Sequence, residues 1–243
     1  MKKLYIVGIG PGDERNMTAA CREAIGLSDI IVGYTKYVKL IAPIYPQKRT
    51  LATPMTREAE RCKEALRIAA QGETVVVVCS GDAGVYGMAG LIYELSEQFP
   101  PVEIEIVPGI TAALAGAAVL GAPLTHDFAV ISLSDLLTPW HLIEKRLSCA
   151  AEADFCIALY NPASKKRSDY LQKACDLFLK YKSPDTVCGI VHNIGREGQQ
   201  AEVLSLEQLG QAQVDMFTTV FVGNAQTKVL NGKMVTPRGY LLD

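Results

Sequence analysis

The 243-residue chain lacks the marks of several protein classes. No low-complexity tract interrupts it, and the formal net charge is only −2, so no global basic field suits it to nucleic acid. Seven cysteines stand at positions 21, 62, 79, 149, 156, 175 and 188 without a C-x-x-C pair or a zinc or iron–sulfur spacing. They read as reduced, mostly core-filling thiols, and no protein-held metal is expected. The apolar run before Gly8 is too short for a signal-peptide core, which makes the cytoplasm the expected compartment. The stretch from Ile104 to Leu124 raises the question of a membrane span. Glu105, Pro108, Thr111, Pro123 and glycines break it up, and a strand, a turn and a small-residue helix fit it better.

What is present is the raw material of a globular enzyme. Hydrophobic residues make up 49% and charged residues 21% of a chain long enough for one large core or two modest ones. The first half alternates strand and helix patterns: Leu4 to Val7, Met17 to Leu27, Ile30 to Val32, Arg57 to Gln71. The run Thr74 to Cys79 is continuously β-branched before its final cysteine, the pattern of a strand buried on both faces. A helix from about Gly87 to Glu97 and a strand from Val102 to Val107 follow, then a glycine- and alanine-rich helix. Near Gly121-Ala122-Pro123-Leu124 a second alternation begins: Phe128 to Leu133, His141 to Cys149, Phe155 to Leu159, Ser168 to Tyr181, Thr186 to His192, Met216 to Val222. The expected fold class is α/β, with two domains spanning 1–121 and 122–243 and no sequence repeat between them.

Three loops follow strands of the first half: Gly8-Ile9-Gly10-Pro11-Gly12-Asp13, Ser80-Gly81-Asp82-Ala83-Gly84-Val85-Tyr86-Gly87 and Val107-Pro108-Gly109-Ile110-Thr111. Their glycines allow sharp turns and close approach of backbone to a ligand. Taken singly, the first is equally a tight turn capped by Asp13 or Asn16, and Asp82 is equally an ordinary cap. The dinucleotide fingerprint requires glycine where Asp13 stands and an acidic residue closing the second strand, where this chain has Val32-Gly33-Tyr34. That disfavours a nicotinamide-dependent oxidoreductase. A Walker loop fails for want of a lysine followed by serine or threonine. At successive strand ends of an open sheet, the three loops would lie along one edge and jointly line a crevice.

In this order and spacing the three loops resemble the tetrapyrrole methylase family, and the resemblance covers essentially the whole chain. It implies two α/β domains with a cofactor cleft between them, S-adenosylmethionine as cofactor, a polycarboxylated tetrapyrrole as small-molecule partner, and a homodimer. The cofactor-lining residues it implies are Pro11, Gly81, Asp82, Val85, Tyr86, Thr111, Ala112, Tyr160, Asn193 and Asn224. Within the family, the segments Val32 to Tyr37, Val130 to Trp140 and Leu159 to Ser164 are similar to the branch of cobalamin synthesis that methylates carbon 17 and contracts the macrocycle. Whether its substrate carries cobalt is left open. The related uroporphyrinogen enzymes carry an aspartate where Tyr34 stands, so Tyr34, Lys36 and Tyr37 become candidates for meeting the macrocycle, with counter-charge from Lys165, Lys166, Arg167 and Arg196. In-line methyl transfer depends chiefly on alignment. Ring contraction adds proton transfer, for which Asp13, His126, Asp127, Ser132 and Asp135 are the candidates, each with a capping or boundary role as its rival. Methylation at another corrin-ring carbon and a noncatalytic nucleotide-binding module are the alternatives.

Overall fold

The computed structural model describes residues 3–164 and 168–241. The chain divides into two units, Met1–Ala112 and Ala113–Asp243. The first runs β1 (Lys3–Gly8), α1 (Ala19–Leu27), β2 (Ile30–Tyr34), α2 (Thr35–Ile41), β3 (Arg49–Thr53), α3 (Glu58–Ala70), β4 (Thr74–Cys79), α4 (Ala89–Ser96) and β5 (Glu103–Val107). Its five strands form one sheet in the order β3-β2-β4-β1-β5, and every pairing is parallel. Strand β4 explains the valine run. Val75 and Val77 enter the cluster holding Leu4, Ile6, Leu66 and Ile92, while Val76 and Val78 enter the opposite one with Val7, Ile25 and Ile31. All four valines are fully buried, as side chains alternating across a central parallel strand must be.

The second unit contains α5 (Ala112–Leu120), β6 (Gly121–Ala122), β7 (Phe128–Ser132), α6 (Trp140–Glu152), β8 (Cys156–Tyr160), α7 (Tyr170–Phe178), β9 (Val187–His192), β10 (Gln200–Ser205), α8 (Leu206–Leu209), β11 (Thr218–Val222), β12 (Lys228–Leu230) and β13 (Lys233–Val235), with Ala112 of α5 on the boundary. Five strands form a sheet in the order β10-β9-β11-β8-β7, and a smaller sheet runs β12-β13-β6. The larger sheet is mixed: β7 and β8 are parallel, whereas β11 opposes both β8 and β9. Phe178, Leu133, Leu147, Ile157 and Leu159 lie in its core. Asn231 and Gly232 take positive φ values of 51° and 73°, the two-residue turn that matches strand twist in the β12–β13 hairpin.

The division falls earlier than the boundary expected after residue 121. Helix α5 goes with the second unit because its hydrogen bonds lie there: the Ala113 N–H donates to the Tyr160 hydroxyl at 2.7 Å, and Lys233 Nζ donates to the Val119 carbonyl at 3.1 Å. Strand β6 then pairs with β13. Among the described residues no helix is long and apolar enough to cross a membrane, and the stretch from Ile104 divides into β5, a turn and α5.

Candidate active site

Strands β4, β1 and β5 are consecutive in the first sheet and parallel, so the three glycine-rich loops leave it along one carboxyl edge. They are laced together there. Gly10 and Gly81 exchange two backbone hydrogen bonds, at 3.0 and 2.7 Å. A Cβ added at Gly8 would stand 2.5 Å from the Gly81 carbonyl oxygen and 2.7 Å from the Gly109 nitrogen, so no larger residue fits where the loops meet. Gly81 itself has a φ of +68°, a left-handed conformation that L side chains rarely adopt.

Asp82 fastens the second loop to the third. Its Oδ1 accepts from the backbone N–H groups of Gly84 and Val85 at 2.7 and 3.1 Å, and Oδ2 accepts from Gly109 N–H at 2.9 Å. The sequence leaves Asp82 open between cap and ligand contact, and its carboxylate does the work of a cap extended to a second loop. Beyond this tie the loop turns outward: Gly84, Tyr86 and Gly87 are exposed, and Tyr86 holds a φ of +53°. Pro11 is buried, whereas Val85, Thr111 and Ala112 are half-buried. Thr111 and Ala112 lie beside Gly81, 3.4 and 3.6 Å from where its Cβ would be. Neither lysine nor arginine occurs in Gly8–Asp13, Ser80–Gly87 or Val107–Thr111, which together hold two aspartates. A phosphate ligand would find no counter-charge in these loops; a cationic ligand would meet no repulsion from them.

Asp13 accepts from the backbone and side-chain nitrogens of Asn16 at 2.9 and 2.6 Å, capping the short 3-10 turn Glu14–Asn16. Tyr34 and Tyr37 pack edge to face, with ring centroids 5.1 Å apart, at the end of β2 and in α2. Lys36 beside them is exposed.

The second-unit candidates are described within their own unit. Ser132 Oγ accepts from Ser134 N–H at 3.2 Å and from the Asn161 carboxamide at 3.0 Å. Asp135 accepts from the Tyr170 hydroxyl at 2.6 Å, and this bond raises the phenol above its ordinary pKa. The backbone carbonyl of Asp127 accepts from Cys156 N–H at 3.2 Å. His126 Nε2 is sealed from solvent, with no hydrogen-bond partner among the described residues. Tyr160 holds the start of α5 through its hydroxyl. Asn193, at a φ of +50°, donates from its carboxamide to the Gly198 carbonyl at 3.5 Å. Asn224 Oδ1 accepts from Gln226 N–H and Thr227 Oγ1, closing its own turn. Arg196 lies over the Phe217 ring at 5.4 Å. Lys165, Lys166 and Arg167 lie outside the described residues. His192, the last residue of β9, is not among the candidates read from the sequence, where it only closes the strand Thr186 to His192.

The core thiols are not poised for nucleophilic chemistry. Burial pushes Cys21, Cys62 and Cys175 up to about 12 and Cys79 to about 11, so the reactive thiolate is suppressed.

A two-unit α/β chain with laced glycine loops at one sheet edge fits a group-transfer enzyme that works by positioning. Residues 3–210 match the model of the tetrapyrrole (corrin/porphyrin) methylases, and the chain belongs to that family of methyltransferases. Among its relatives, the probable cobalt-factor III C(17)-methyltransferase of Salmonella typhimurium is 47% identical over 98% of this chain and 100% of that protein. The crystal structure of the methyltransferase CobJ is 39% identical, with a TM-score of 0.90 over 96% of this chain and 99% of that one. A uroporphyrin-III C-methyl transferase from Thermus thermophilus, solved with S-adenyl homocysteine, shares the fold at a TM-score of 0.69 and 20% identity, over 91% of this chain and 97% of that one.

Proposed function

We propose that this chain is an S-adenosylmethionine-dependent C-methyltransferase that methylates carbon 17 of a cobalt-factor III or precorrin-3B type tetrapyrrole, with ring contraction, in cobalamin biosynthesis. The observation that carries the cofactor reading is the laced edge of β4, β1 and β5, where Asp82 and the Gly10–Gly81 pair hold three loops in one arrangement. Its lack of lysine and arginine fits a sulfonium ligand better than a phosphorylated one. Support for the carbon-17 assignment comes from the near-full-length likeness to the Salmonella protein and to CobJ.

In this reading Gly81, Val85, Tyr86, Thr111 and Ala112 present backbone groups to the cofactor, and Pro11 walls the first loop. Asp82 orients the loops. The family resemblance extends the proposed contacts to Tyr160, Asn193 and Asn224. When bound, the cofactor supplies an electrophilic methyl group, the electron pair of the broken carbon–sulfur bond staying on sulfur. What the chain contributes is alignment and exclusion of water. Tyr34, Lys36 and Tyr37 are the proposed macrocycle contacts. A cytoplasmic homodimer is the state we propose, on the family resemblance.

The test is incubation with S-adenosylmethionine and either cobalt-factor III or metal-free precorrin-3B, reading product mass and ring connectivity. Methylation at a different carbon overturns the carbon-17 assignment. Binding of S-adenosylhomocysteine without turnover on either tetrapyrrole favours the noncatalytic module.

A further inference from the structure

Of the five proton-transfer candidates read from the sequence, Asp127 stands exposed at the amino end of β7, and the other four are engaged in holding the fold or have a ring nitrogen shut from solvent. Asp13 caps a turn, Ser132 ties two loops, Asp135 holds the Tyr170 hydroxyl, and His126 Nε2 is sealed. His192 differs from these four. Strands β7, β8 and β9 run in one direction in the second sheet, so Ser132, Tyr160 and His192 end at one carboxyl edge, where ligands of α/β sheets bind.

The hydrogen bonds around His192 fix its tautomer. Thr218 Oγ1 lies 2.7 Å from Asp215 Oδ1, and since the carboxylate brings no proton, the single hydroxyl proton must be donated to it. The same oxygen accepts from Asp215 N–H at 3.0 Å. It has no second proton for His192 Nδ1, 2.9 Å away. Nδ1 therefore carries the hydrogen and donates it, which leaves the lone pair of the neutral ring on Nε2. Among the described residues no other bond engages the ring. Thr218 is 3% exposed, so the relay is anchored in the core. His192 lines an open groove of about 390 Å³ with Ile190, Glu202, Leu204 and Gln208. Glu202 pairs with Ile190 across the ladder, two residues from His192 on the same face.

We propose that His192 Nε2 is the proton acceptor of the methylation, with Thr218 and Asp215 as its positioning residues; this rests on the methyltransferase reading above. Forming the carbon–methyl bond breaks the methyl–sulfur bond, whose electron pair stays on sulfur, and raises the charge of the macrocycle by one; breaking one N–H or O–H bond of the macrocycle, with its electron pair kept by the ring and its proton passed to His192 Nε2, restores that charge. The imidazolium so formed is held by Nδ1–H donating to Thr218, which donates to Asp215.

The test combines three measurements. Nitrogen-15 spectra of histidine-labelled wild-type protein are expected to show His192 as the Nδ1–H tautomer, and Thr218→Val to lose that preference. S-adenosylhomocysteine titrated by calorimetry is expected to bind His192→Gln within about twofold of wild type. Single-turnover methylation of cobalt-factor III by His192→Gln is expected to slow by about 10²–10⁴-fold, the range for a lost acid–base group. A wild-type Nε2–H tautomer overturns the proposal whether or not any variant folds, as does a His192→Gln rate within about threefold of wild type. Failure of wild-type protein to bind S-adenosylhomocysteine instead removes the methyltransferase reading, and this inference with it.

Discussion

Asp82 concentrates the organisation of the site into one side chain. Its two oxygens serve different loops, Oδ1 its own and Oδ2 the loop of Gly109. In Asp82→Asn one oxygen becomes an NH₂ group, and whichever way the amide turns, a backbone N–H loses its acceptor and faces a donor. The cost is about 1–3 kcal/mol. Thermal melting should fall, and S-adenosylhomocysteine affinity measured by calorimetry should drop by roughly 10–100-fold, since each 1.4 kcal/mol is a factor of ten; unchanged affinity would separate Asp82 from the site. Arg61 makes a comparable point about stability. It is 2% exposed, and its guanidinium bonds Thr53 Oγ1 and the Pro54 carbonyl beyond β3 and Met88 Sδ ahead of α4. Arg61→Ala strands those partners and opens a cavity, with an expected loss of about 2–4 kcal/mol in denaturant unfolding. The sequence shows Asp82 as chemically interesting because a strand and three glycines frame it. Nothing in the sequence shows Arg61 or the Asp215–Thr218–His192 relay, because the Arg61 bonds and the Thr218–His192 contact join residues from separate elements.

At the scale of elements, legibility follows burial. Strand β4 announces itself because both of its faces are covered, and helix α3 because one stripe holds Cys62, Ala65, Leu66 and Ala69. Sequence reading passes over β3 and β10, edge strands of their sheets whose residues are exposed or half-buried, so neither has the apolar alternation that marks a strand. Strands β12 and β13 are three residues each, too short for any period. The same contrast predicts stability. Ile6 in β1 is fully buried and Ile106 in β5 is 39% exposed. Ile6→Val should cost about 0.5–1.5 kcal/mol and Ile106→Val clearly less, by urea unfolding. Equal losses would contradict the assigned burial.

Across the whole molecule, the order of loops carries the family and the order of strands explains why. A crossover topology brings β4, β1 and β5 side by side although they are far apart in sequence, so motifs that are ambiguous singly become one edge. The cysteines give an independent check on both cores. Cys149 is exposed, and Cys21, Cys62, Cys79, Cys156, Cys175 and Cys188 are free and buried. An aromatic disulfide reagent should therefore titrate one thiol promptly in native protein and all seven after denaturation; prompt reaction of several would mean that the cores are open. The central claim is tested most directly by one reaction: the chain, S-adenosylmethionine and cobalt-factor III, with the product's methyl position and ring connectivity determined. The account predicts a single new methyl group on carbon 17 of a contracted macrocycle. A methyl group on another carbon, or no methylation by protein that binds S-adenosylhomocysteine, would contradict it.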